Sequence, residues 1–81
     1  MNNKEYRKWL IVLQYYQRFL VNDFSVNEIE MTIQTHIYEF ADNKLINYLC
    51  LALSEKHQHL KIQWIEHAYR RIEEILGGSE Q

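Results

Sequence analysis

The run Lys4-Glu5-Tyr6-Arg7-Lys8-Trp9-Leu10-Ile11-Val12-Leu13-Gln14-Tyr15-Tyr16-Gln17-Arg18-Phe19-Leu20 decides the fold of this chain. Tyr6, Trp9, Leu10, Leu13, Tyr16, Gln17 and Leu20 recur at the three-and-four spacing of one helix face, which predicts a helix over residues 4–22. Ile11, Val12, Tyr15 and Phe19 fill a second stripe, so the helix is apolar around most of its circumference. Such a helix is ordinarily buried on several sides. A chain of 81 residues has little material with which to surround it, because a domain this small covers only about 60% of the surface its unfolded chain exposes. The first helix is therefore expected to keep apolar surface for a partner or a second copy.

Outward from this run, Asn22-Asp23 interrupt the pattern and a second helix is expected over 26–41. Ser25 and Glu28 have the spacing of a capping box, and Phe24 with Ile29 that of its hydrophobic staple. The stripe Val26, Ile29, Ile33, Ile37 (or His36) and Phe40 is narrow, which describes a surface helix. Asp42 or Asn43 can cap a third helix over 44–54, carrying Leu45, Ile46, Leu49, Cys50, Ala52 and Leu53. Ser54 could cap a fourth over 56–76, yet no glycine or proline enforces a break, so residues 44–76 read as two helices or one bent helix. Leu60, Trp64, Ile65, Ala68, Ile72, Ile75 and Leu76 are assigned to one face of this last stretch, with Arg70 spaced to pair with Glu66 and Glu74. Gly77-Gly78, the only glycines, are expected to cap it and Ser79 to Gln81 to fray. The fold class is all-α: a single domain over 1–81, a small bundle of three to four helices, dimeric through the first.

Composition narrows the function classes. Hydrophobic residues make up 47% and aromatic ones 14%, ample to offset chain entropy and so to exclude disorder. The longest apolar runs, Trp9 to Leu13 and Leu49 to Leu53, fall far short of the roughly 20 residues that span a bilayer, so no membrane partner is expected. Cys50 is the only cysteine and the first residues form no apolar leader, which fits a reducing, cytoplasmic setting. Lodged between Leu49 and Leu51, Cys50 is expected in the core. Charge is unevenly placed. Lys4, Arg7, Lys8 and Arg18 against Glu5 give residues 1–21 a net +3, whereas Asp23, Glu28, Glu30, Glu39 and Asp42 give residues 22–42 a net −5.

No constellation of catalytic residues emerges. His36, His57, His59 and His67 lack the spacings that hold zinc, and only Glu55 with His59 pairs a carboxylate and an imidazole at helical distance. Nucleophilic triads and phosphate-cradling loops need turns that this chain lacks. No enzyme activity, no cofactor and no metal are therefore expected. Lys4, Tyr6, Arg7, Lys8 and Trp9 interleave base and aromatic, and Arg70-Arg71 add a second basic spot. With a pI near 6.0, direct nucleic-acid binding is disfavoured and stands as an alternative only.

The stretch Tyr38-Glu39-Phe40-Ala41-Asp42-Asn43-Lys44-Leu45, with the amphipathic helix from Glu28 before it, resembles the Tyr-Glu-Leu-Ser-Asp-Asn-Glu-Leu segment between two helices of the Hha/YmoA family of small bacterial gene-expression modulators. The likeness covers about 20 of the 81 residues and stops at Leu45; the long aromatic first helix has no counterpart there. It implies transcriptional modulation through binding a nucleoid protein, without independent DNA reading. The functional expectation is a bacterial-type regulator or adaptor that binds another protein, with a toxin-immunity or anti-nuclease inhibitor as the alternative. Its expected contact residues are Trp9, Val12, Tyr15, Tyr16 and Phe19, with Glu28, Glu30 and Glu39 supplying orientation and rate.

Overall fold

A computed structural model describes residues 1–77. Four α-helices, with no strand among the described residues, follow in the order α1 (Asn3–Val21), α2 (Asn27–His36), α3 (Asn43–Ser54) and α4 (Gln58–Gly77), and a 3-10 turn, Ile37–Glu39, follows α2. No helix among them is long and apolar enough to cross a membrane.

Helix α4 is the hub, lying close against both α3 and α1, while α2 stands farther from α1. Ile65, Ala68, Ile72 and Leu76 of α4 meet Tyr6, Trp9, Leu13 and Tyr16 of α1 and Leu45, Leu49 and Ala52 of α3 in one core. Ile33, Ile37 and Phe40 close the remaining side. Fully burying an aliphatic side chain of this size contributes about 1.5 to 3 kcal/mol, so these positions carry most of the stability. α1 buries one face, and Ile11 and Tyr15 stay 53% and 50% exposed, the leftover apolar surface expected of it.

The caps differ from those expected. A capping box exists, but on α1: Asn2 Oδ1 accepts from the Glu5 N–H at 2.9 Å, and the Asn2 N–H donates to Glu5 Oε1 at 3.2 Å. At α2 the N-cap is Val26, without a side-chain hydrogen bond. Ser25 Oγ reaches only the Asn27 N–H, at 3.5 Å. The competing structure is the end of α1. Asp23 adopts φ 58°, the Phe24 N–H donates to the Phe19 carbonyl at 2.8 Å and the Asp23 N–H to that of Leu20 at 3.2 Å. This is a Schellman motif with aspartate where glycine is usual, and its hydrophobic contact is the edge-on pair of Phe19 and Phe24, 5.5 Å between centroids. Phe24 is thereby used to close α1 and stays exposed instead of stapling α2.

The second helix ends earlier than residue 41. Thr32 and Thr35 hydroxyls donate back to the Glu28 and Met31 carbonyls, a competition that weakens a helix, and the chain extends at Phe40. That turn swings the Phe40 ring onto Trp9 and Tyr6, at 5.1 and 6.2 Å. Of the two candidate caps for α3, Asp42 serves, accepting from the Leu45 N–H at 2.8 Å. α3 and α4 are two helices, parted where Glu55 turns extended and its carboxylate accepts from the His57 N–H at 3.1 Å. Ser54 caps neither: its hydroxyl donates back to the Leu51 carbonyl. Cys50 is exposed, because the α3 core face runs through Leu45, Leu49 and Ala52 and Cys50 falls on its outer side. Gly77 is still helical; the expected cap at Gly78 and the frayed end lie outside the described residues.

Candidate functional site

Two polar clusters fasten the helices. Lys61 Nζ, its side chain only 12% exposed, donates to Glu30 Oε2 at 2.8 Å and to the Ala52 carbonyl at 2.6 Å. The Tyr16 hydroxyl donates to the same Glu30 carboxylate. One ammonium thus meets the negative end of α3 and ties all four helices. Burial pushes the Tyr16 hydroxyl far above the usual tyrosine range, and the Glu30 hydrogen bond and charge push it further. In the second cluster Arg71 Nη2 and Nε bind the Asp42 carboxylate at 2.6 and 3.1 Å. The hydrogen bond from Arg71 holds Asp42 below the usual carboxylate range against the opposing pull of desolvation, and the same bond raises Arg71. The helix-surface pairing expected of Arg70 falls to its neighbour Arg71, which also reaches Glu74 at 3.3 Å.

These clusters decide which expected contact residues are free to meet a partner. Tyr16 is fully buried and Trp9 nearly so; both are core residues, and Tyr16 and Glu30 are spent on the internal network, which corrects their assignment to a partner surface. Glu39 lies exposed beside His36, 2.7 Å from its Nδ1. Val12, Tyr15, Phe19 and Glu28 do come together. With Ile29 and Thr32 they line a groove of about 290 Å³ between α1 and α2. A second depression of about 270 Å³ shares Val12 and Thr32 with it and runs on to Lys8, His36 and Glu39, with Trp9 in its lining.

The groove's origin is local. Residues 12, 15 and 19 sit on the flank of α1, one step around from the core face at 9, 13 and 16. α2 is short and capped by no side chain, so it fails to close over that flank. Tyr15, Phe19 and Phe24 form a run of edge-on rings at 6.3 and 5.5 Å, and the Arg18 guanidinium lies 5.8 Å from the Tyr15 ring. On its α2 side the groove is edged by Glu28, whose carboxylate makes no ion pair among the described residues, and on α1 the adjoining depression carries both Glu5 and Lys8.

Sequence reasoning missed Lys61 and the outward role of Ile29. Lys61 had a signal, since the series Lys61, Ile65, Ala68, Ile72 keeps one helix face and puts an ammonium in line with core residues. Ile29 had none, because a core position and a groove wall share the same apolar spacing. Tyr48 stacks on Trp64 and His67 at 6.2 and 5.4 Å, filling the α3–α4 seam, and the His57 and His59 rings lie 5.9 Å apart. Among the described residues no group of three or more His, Cys, Asp or Glu could hold a metal ion. Set beside known proteins, the chain matches no family model, no curated protein and no solved structure.

Proposed function

We propose that this is a small regulatory or adaptor protein that acts by binding another protein, taking an amphipathic helix of that partner into the α1–α2 groove. The observation that carries the reading is the open wall of Val12, Tyr15, Phe19 and Ile29 with the carboxylate of Glu28, without an ion pair among the described residues, on its edge. Apolar side chains spaced one turn apart on a docking helix would fill such a wall, and a basic residue on its flank would meet Glu28. The local likeness to small bacterial gene-expression modulators supports the regulatory part of the proposal. An inhibitor covering a basic nuclease site by its acidic second helix is less well supported, because Glu30 is turned inward to Lys61.

A labelled probe helix with leucines at every fourth position and lysines beside them tests this by fluorescence anisotropy. Saturable binding is expected, weakened at least about tenfold by Ile29→Lys, since truncating or charging a central apolar anchor costs on the order of 2 kcal/mol. Absence of saturation, or equal binding by Ile29→Lys, would refute the groove as a helix site.

A further inference from the structure

We infer that the partner helix bears two cationic side chains eleven residues apart with apolar anchors between them; this rests on the groove being a helix-binding site. The groove does not end at Val12 and Thr32, because the second depression shares both residues and continues to Glu5, Lys8, His36 and Glu39. Phe19 and Glu28 line one end of the combined trough and Glu5 and Glu39 the other, so α1 and α2 run antiparallel along its walls. Charge along the trough is one-sided. On α1, Glu5 and Lys8 offset one another. The α2 wall carries Glu28 at the apolar end and Glu39 at the far end, where His36 Nδ1 lies 2.7 Å from Glu39 Oε2. Glu30 is turned away to Lys61. Glu28 and Glu39 are exposed and well hydrated as they stand. A helix laid into the trough takes water from both, and a carboxylate desolvated without a cation is costly. The occupant must therefore bring a cation to each end, and a helix with acidic ends is rejected.

The spacing follows from the same residues. Glu39 lies eleven residues beyond Glu28, and the α-helix and 3-10 turn between them rise roughly 18 Å along the axis. Eleven residues of a docking helix make about three turns and rise about 16 Å, which returns the second cation to the face of the first. Positions four and seven after the first cation share that face. Apolar side chains there meet the wall of Val12, Tyr15, Phe19 and Ile29.

Probe helices with identical apolar anchors and lysine, glutamine or glutamate at both end positions test this by fluorescence anisotropy with the full chain. The two-lysine helix is expected to bind tightest, and the two-glutamate helix at least about tenfold more weakly. Glu28→Gln and Glu39→Gln should each weaken the two-lysine helix about two- to fivefold, the range of an exposed ion pair. Neither should change binding of the two-glutamine helix. Shifting the second lysine two positions along turns it away from the trough and should again lose about two- to fivefold. A two-lysine helix that binds no better than the two-glutamate one, or that ignores both substitutions, overturns the inference; if Ile29→Lys still abolishes its binding, the groove as a helix site survives. No saturable binding of any of the helices refutes the groove and the inference together. A chain that dimerises in sedimentation, and loses the dimer with Ile29→Lys, places a second copy in the groove and also overturns the inference.

Discussion

Where α4 lies between α1 and α3, apolar residues meet and cover one another completely: Leu13, Leu45, Ile65 and Ile72 are inaccessible to water. Along the α1–α2 edge the sequence is no less apolar, yet Ile11, Tyr15, Phe24 and Met31 remain exposed. The difference lies in the covering helices. α4 runs the length of α1, whereas α2 offers ten residues before its 3-10 turn and meets the core chiefly through Ile33. Hydrophobic content alone therefore does not decide what is buried; the length and anchoring of the opposite helix do. The larger consequence is functional, because the uncovered edge is where a partner can gain apolar contact without unfolding anything.

The contrast can be broken first in the core. Ile72→Ala should destabilise by about 2 to 5 kcal/mol, whereas Tyr15→Ala should cost under about 1 kcal/mol as an exposed substitution, both read by urea unfolding. The tether of α2 comes next. Lys61→Ala strands the Glu30 carboxylate and the last α3 carbonyls, and should cost on the order of 2 to 3 kcal/mol, with faster hydrogen exchange in α2 than in α4. Loss distributed evenly over all four helices would mean that α2 is no separate unit.

Titration gives smaller effects with definite signs. Tyr16 holds its proton in the fold where the unfolded chain loses it, so its contribution is fully present below pH about 10 and declines above that, by up to about 1.4 kcal/mol per pH unit. Tyr16→Phe should flatten this alkaline limb in a pH series of unfolding curves. Asp42 works in the opposite direction: its acidity is enhanced by Arg71, so its contribution is present above pH about 4 and lost as pH falls below it. Asp42→Asn should remove that acid sensitivity. The smallest change expected is a gain, about 0.5 to 1 kcal/mol for Asp23→Gly, which relieves the left-handed backbone at the end of α1.

The helices could be read from the sequence because their apolar spacing is long and uninterrupted, and the leftover surface of α1 could be read from its double stripe. Caps were harder. Ser25 and Glu28 have the right spacing, but Phe24 can serve either the end of α1 or the start of α2, and only the packing of Phe19 decides between them. Spacing also placed Cys50 on the wrong side, and Tyr16, rightly set on one face with Leu13, was still assigned to a partner surface: adjacent positions on an apolar helix differ by a 100° rotation, and which lies inward depends on where α4 runs. The candidate groove was half visible. Its α1 wall of Val12, Tyr15 and Phe19 and the acidic edge at Glu28 were legible, while Ile29 and Thr32 of the opposite wall were not.

The most direct test of an open α1–α2 edge beside a closed α3–α4 seam is side-chain NMR of the intact chain titrated with the probe helix. Shift changes should gather on the Val12 and Ile29 methyls and the Tyr15 and Phe19 rings, leaving Tyr48, Trp64 and Leu49 unmoved. Changes centred on Tyr48 and Trp64, with the groove residues silent, would contradict it.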